Sequence, residues 1–166
     1  MARNLGETTI TVPVLDRLID LEPGNRTENP TSRSQSERLF KRAVRRDLEW
    51  LLNTRRICDP PDEGLKEVGR SVYVYGLPDL SALAMATAGD RSKLIRQIVD
   101  AINLFEKRLT NVRVVMVEMP DSAKSAVRLR IDAMLRMDPS PEPISFDTVI
   151  ELKSGNCRLA GGDDAR

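Results

Sequence analysis

Two carboxylates stand where the surrounding pattern calls for apolar side chains. On a helical wheel Asp47 falls between Phe40 and Leu51, and Glu106 falls between Ile95 and Val99. A carboxylate withdrawn from water is costly unless it is paired and hydrogen-bonded. Three roles are open to such acids. They can form internal ion pairs that fix how helix meets sheet, they can await a partner protein that completes the pairing, or they can act together in hydrolysis. The rest of the inventory narrows the chemistry. There is no His, so Ser-His and Cys-His nucleophile pairs and imidazole metal ligands are excluded. No CxxC, GxGxxG or Walker-type phosphate loop occurs, which removes the common zinc, dinucleotide and nucleotide readings. Cys58 and Cys157 lie far apart and read as two reduced thiols. No catalytic residue, metal or cofactor is expected.

The elements that must position these acids follow from periodicity. Val12 to Asp20 is short and apolar-rich, and its leucines are expected to dock on the core. Residues 22–36 hold Pro, Gly, Ser, Thr and Asn with charges and read as a linker. A helix is expected from Ser36 to Asn53, capped by Ser34 or Ser36. Leu39, Phe40, Ala43, Val44, Leu48, Leu51 and Leu52 form its apolar stripe, with Trp50 on the margin. Val72 to Tyr75 reads as a short strand stopped by Gly76 and Pro78, and a short helical piece follows from Asp79 or Ser81 through Met85. A second long helix is expected from Ser92 to Arg108, with Leu94, Ile95, Ile98, Ile102, Phe105 and Leu109 on its buried face. The period then changes to two. Val112 to Val117, Val127 to Arg136 and Ser145 to Leu152 alternate as three antiparallel strands, joined at Pro120–Ser125 and at Asp138–Pro143. The predicted class is α+β: a small antiparallel sheet, made of a C-terminal three-strand meander plus a short strand, packed by two long helices. Residues 1–35 read as a flexible arm with a docking segment, 36–159 as one domain and 160–166 as a polar tail.

Charge separates the possible partners. Net charge is +1, too small for a global field toward nucleic acid or membrane. No apolar run approaches the roughly 18 residues of a membrane span, so membrane insertion is not expected. Arg38, Lys41, Arg42, Arg45 and Arg46 crowd the first helix. Aromatic residues are scarce and no RNA-binding signature is present, so a solvated face or an acidic protein partner is the reading, not nucleic acid.

Several stretches together resemble a known family. They are Val44-Arg45-Arg46-Asp47-Leu48-Glu49-Trp50-Leu51-Leu52-Asn53-Thr54-Arg55, Tyr75-Gly76-Leu77-Pro78-Asp79-Leu80, Phe105-Glu106-Lys107-Arg108-Leu109, and Pro139 to Glu151. In order and spacing the chain resembles TssE, the baseplate subunit of bacterial type VI secretion systems. That family is similar to the wedge protein of contractile phage tails once labelled a tail lysozyme. The resemblance implies a cytoplasmic, non-enzymatic assembly subunit, on the cytoplasmic side of the inner membrane within the baseplate. It implies TssF and TssG as wedge partners and TssB and TssC as sheath partners, with a role in priming sheath assembly. The family's Glu-Pro-Arg motif maps onto Glu106, Lys107 and Arg108, with Lys in place of Pro, and implies baseplate binding there. The old label leaves a peptidoglycan glycosidase as the enzymatic alternative.

Three placements follow as expectations. Asp47 is buried and either ion-paired or bonded to backbone. The second helix ends near Glu106, so that the turn joins Glu106 to Arg108. The last strand is a sheet edge, and its residues Phe146, Thr148, Val149, Ile150 and Leu152 receive a sheath strand by β-augmentation, with the strand from Val72 to Tyr75 as the competing edge.

Overall fold

A computed structural model describes residues 10–19, 23–24, 32–79, 88–117, 126–151 and 154–161. The linker at 22–36 lies mostly outside them. So do the helical piece expected from Asp79 or Ser81 through Met85, apart from Asp79 itself, the first strand connection at 120–125 and the tail beyond 161.

Helix α1 covers Val14–Leu18 and helix α2 covers Arg33–Asn53. Ser32, not Ser34 or Ser36, opens α2. Its hydroxyl accepts from the Gln35 amide at 3.3 Å and the Gln35 side chain accepts from the Ser32 amide at 3.0 Å. This reciprocal box satisfies two amides at the helix start, and it sets the start three residues earlier than expected. Phe40, Ala43, Val44, Leu48, Leu51 and Leu52 are buried, as the stripe predicts, but Leu39 and Trp50 are exposed. The apolar residues of α1 also face solvent: Val14 is 69% exposed and Leu18 76%. The expected docking of this segment through its leucines is therefore corrected. It is held instead by the Asp16–Arg46 ion pair and by the Ile10 amide, which donates to the Ser36 hydroxyl at 3.3 Å.

After α2 the chain makes two 3₁₀ turns, Val68–Arg70 and Val72–Val74. The expected strand at Val72 to Tyr75 is thus a turn, capped by the Ser71 hydroxyl accepting from the Tyr73 amide. Val72 is 85% exposed and, among the described residues, has no strand to pair with. Strand propensity acts only where a pleated neighbour exists. Gly76 then brings the chain back beside the end of α2, through an isolated bridge between Arg55 and Leu77. Its φ is +99°, and a side chain there would collide with the Thr54 carbonyl oxygen. Only glycine suits that approach.

Helix α3 covers Ala88–Phe105, and the sheet follows as β1 Leu109–Val117, β2 Ala126–Leu135, β3 Glu142–Glu151 and β4 Cys157–Gly161. The order is β1-β2-β3-β4, each pair antiparallel. α2 and α3 pack on one face, where Leu94, Ile98, Ile102, Leu129, Ile131, Leu135, Phe146 and Ile150 form the centre of the core. The α+β class holds, with a fourth strand in the meander. β1 carries an irregularity between Thr110 and Arg113, where Asn111 adopts φ +53°.

β4 overturns the expected sheet edge. The strand containing Phe146, Thr148, Val149 and Ile150 is paired on both sides, by β2 and by β4. Phe146, Thr148 and Ile150 are buried in the core and Val149 is half-buried on the other face. Leu152 lies outside the described residues. The edges are β1 and β4, and β4 runs through Ala160 and Gly161 into the expected tail.

β4 also buries a thiol. Burial, with a smaller contribution from the charge of Glu49, pushes the Cys157 thiol up to about 12. Cys58 is exposed. A thiol-specific reagent at pH 8 should therefore titrate one cysteine in the native protein and both in denaturant. Equal rates at the two sites would contradict this placement of β4.

Candidate functional site

Helix α3 ends at Phe105, short of the Arg108 to which its periodicity runs but in keeping with the expected end near Glu106, and the chain turns through Glu106-Lys107-Arg108 into β1. That turn determines the site. On a continuous helix residues 106 and 108 would diverge, but here Glu106 folds back over Arg108. The Glu106 carboxylate accepts from the Arg108 amide at 3.1 Å and from its Nε at 2.6 Å, and a further bond comes from Arg108 Nη2. The same Nη2 donates to Asp47 on α2 at 2.7 Å. Both locally anomalous acids thus meet on one guanidinium.

The network continues. Asp47 accepts from Arg46 Nη2 at 2.8 Å and from its Nε at 3.0 Å. Arg46 reaches Asp16 on α1 through both terminal nitrogens. The chain of charges is Glu106–Arg108–Asp47–Arg46–Asp16, three anions and two cations from α1, α2 and the turn after α3. Glu106 is buried, at 5% exposure. Asp47, expected to be buried, is only half-buried. Burial pulls the Arg108 guanidinium down, but the Glu106 hydrogen bonds and charge, followed by those of Asp47, outweigh it and hold its affinity for the proton above the usual arginine range. Arg46 is raised likewise, first by its bond to Asp16. Asp16 and Arg46 had no place in the sequence-based site; Arg46 stood there among the cations of the first helix, and Asp16 within an apolar segment read for its leucines.

Beside the network lies a cleft of about 320 Å³. Leu51, Tyr75 and Phe105 form its apolar side, with Tyr75 and Phe105 edge to face at 5.1 Å and 72°. Asp47, Glu106, Lys107 and Arg108 form its charged side. Burial, then the charges of Asp47 and Glu106, push the Tyr75 phenol above its ordinary value, so it stays neutral. Lys107 is exposed, and its ammonium donates to the Asn103 carbonyl at 2.7 Å, closing the end of α3.

The arrangement suits recognition better than hydrolysis. A glycosidase needs one carboxyl that donates a proton to the leaving oxygen. Here the described hydrogen bonds of Asp47 and Glu106 all come to them from guanidinium or amide donors. Among the described residues no cluster of His, Cys, Asp or Glu could hold a metal ion, and no helix is long and apolar enough to cross a membrane.

A family model described as baseplate wedge protein gp25 matches residues 38–140, more than half of the chain. The matched stretch spans most of α2, the turn at Gly76, α3, the Glu106–Arg108 turn and strands β1 and β2. No curated protein and no solved structure matches.

Proposed function

The chain belongs to the gp25 baseplate wedge protein family, and from that membership we propose that it is the structural wedge subunit of a type VI secretion baseplate. A wedge protein works by contact with other baseplate components. In this reading the chain joins TssF and TssG in the wedge and gives TssB and TssC a point from which the sheath starts. It carries no enzymatic activity, and it acts on the cytoplasmic side of the inner membrane. The observation that carries the reading is the Glu106–Arg108 turn. It falls within the family match, stands where the resemblance maps a baseplate-binding motif, and is rigidly tied to α2 beside an open cleft with an apolar wall. Lys107 occupies the position of the motif's proline, and the ion pairs to Asp47 and Glu106 fix the turn in its place.

Sheath priming is assigned to a sheet edge. Asn53 on α2 bonds both the amide and the carbonyl of Cys157, at 2.8 Å each, and so occupies backbone groups on β4. Strand β1 is longer, and Val115 on it is 40% exposed. An incoming strand on β1 gains backbone hydrogen bonds and apolar contact together.

Co-purification tests the reading. The chain should pull down TssF and TssG, and Lys107→Glu should weaken that recovery with an unchanged far-UV spectrum. Val115→Lys places a charge on the edge without altering its backbone, and should leave wedge recovery intact while sheath assembly fails to start. If the wild-type chain recovers neither wedge subunit, the assignment is wrong. If instead it clears peptidoglycan in a turbidity assay, the glycosidase alternative replaces it.

A further inference from the structure

The exposed side of α2 carries a charged row that the wedge reading does not use. At about 100° per residue, Arg38, Arg42 and Arg45 fall within about 60° of one another along about 10 Å of helix. Arg38 and Arg42 are exposed and Arg45 is half-exposed. Among the described residues none of the three has an ion pair. The cations that are paired, Lys41 and Arg46, lie on either side of this row. Glu49 follows one turn on, so the row reads three positive charges and then one negative.

An apolar strip runs beside it. Leu39 and Trp50 share the neighbouring side of the helix, about 16 Å apart along the axis, and are 40% and 51% exposed. Arg46 lies over the Trp50 ring at 4.9 Å and holds the indole against the helix. On the far side of that strip stands α1, joined to Arg46 by Asp16. The surface is therefore about three turns long, basic along one margin, with the exposed side chains of Leu39 and Trp50 beside it and Arg46, tied to α1, between them.

We infer that this side of α2 docks an acidic amphipathic helix of another protein. Charge complementarity identifies the occupant. Three acidic residues at i, i+4 and i+7 would match Arg38, Arg42 and Arg45, and a cation one turn further would meet Glu49, which fixes the direction of the docked helix. Apolar residues on its adjoining stripe would cover Leu39 and Trp50. A nucleic acid fits less well. The net charge of +1 supplies no long-range attraction for a polyanion, and the indole face that would stack on a base is already occupied by Arg46. The inference does not depend on the wedge assignment, because Arg38, Arg42 and Arg45 do not line the cleft beside Glu106 and lie on neither edge strand.

Trp50 is the single tryptophan of the chain, which makes its emission a local reporter. The probe is a designed helical peptide with glutamates at i, i+4 and i+7 beside a leucine stripe, titrated into the full chain at low salt. A saturable blue shift is expected. Arg42→Glu should weaken binding at least tenfold, and the Arg38→Glu, Arg45→Glu double variant more. Arg128→Glu on the opposite face of the sheet should bind as wild type does. A peptide of equal charge without the leucines should bind at least tenfold more weakly. The proposal is overturned if the wild-type chain gives no saturable shift, or if folded Arg42→Glu binds as tightly as wild type. It is also overturned if a single-stranded oligonucleotide binds this row more tightly than the peptide does.

Discussion

Replacing Arg108 by Ala is expected to destabilise the domain by about 3 kcal/mol, the lower end of the range for breaking a buried ion pair. The lower end applies because the Arg108 side chain is still 24% exposed, whereas that of Glu106 is only 7% exposed. The loss arises mainly at Glu106. Its described donors are the amide and guanidinium of Arg108, so truncation leaves a buried carboxylate with a single amide. Asp47 loses less, because Arg46 still reaches it. The consequence is an ordering of variants. Arg108→Ala should lower the melting temperature by about 6–12 °C for a chain of this size. Asp47→Ala should cost only about 1–2 kcal/mol, since Arg108 keeps Glu106 and Arg46 keeps Asp16. Arg108→Lys should fall between, keeping the charge but losing the fork that serves two acids. The Arg108→Ala, Glu106→Gln double variant should recover part of the loss, because the stranded charge is gone. Thermal denaturation of the four proteins measures the order. A melting point for Arg108→Ala within about 2 °C of wild type would show that the guanidinium does not hold the turn to α2. Because Arg108 serves the fold so heavily, weaker wedge binding in an Arg108 variant would not by itself locate a contact. Lys107, exposed on the same turn, is the position that separates binding from folding.

Both long helices and three of the four strands are legible in the sequence because each repeats its period several times. The stripe from Phe40 to Leu52 runs over three turns, and Val127 to Leu135 alternates through five buried residues. What escaped had too few repeats or depended on distant partners. β4 is five residues long with two core-facing positions, Cys157 and Leu159. Its visible cue was Gly155, which the turn needs at φ +66°. Val72-Tyr73-Val74-Tyr75 carried the composition of a strand, but among the described residues no strand pairs with it. The site divides in the same way. Asp47 and Glu106 announce themselves by interrupting apolar stripes. The pairing of Glu106 with Arg108 follows once the helix is expected to end near Glu106, but the second bond of Arg108, to Asp47, and the extension through Arg46 to Asp16 depend on segments 61 and 30 residues apart in the chain. A wheel can report that an acid is out of place, but it cannot report which distant cation answers it.

Phe146→Ala is the second substitution with a large expected effect, and it decides between a core and an edge role for β3. If Phe146 were the side chain of an open edge awaiting a partner, its truncation would change stability by no more than about 0.5 kcal/mol. The side chain is instead fully buried, at 0% exposure, on a strand paired on both sides. Opposite it stand Ile131 on β2 and Gly161 on β4. The glycine has φ +91° and no side chain to advance into a vacated space, so the cavity left by the ring cannot close from that side. The expected cost is about 3–5 kcal/mol, the usual range for removing a buried phenylalanine. Val149→Ala, three positions along the same strand but half-buried on the other face, should cost about 1 kcal/mol or less, because little of its surface leaves the core. Urea denaturation reads the difference as a midpoint shift. The slope for Phe146→Ala should match wild type, since the unfolded chain exposes nearly the same area. A midpoint for Phe146→Ala equal to that of Val149→Ala would mean that Phe146 does not face the core in solution, and that the alternation of β3 is reversed.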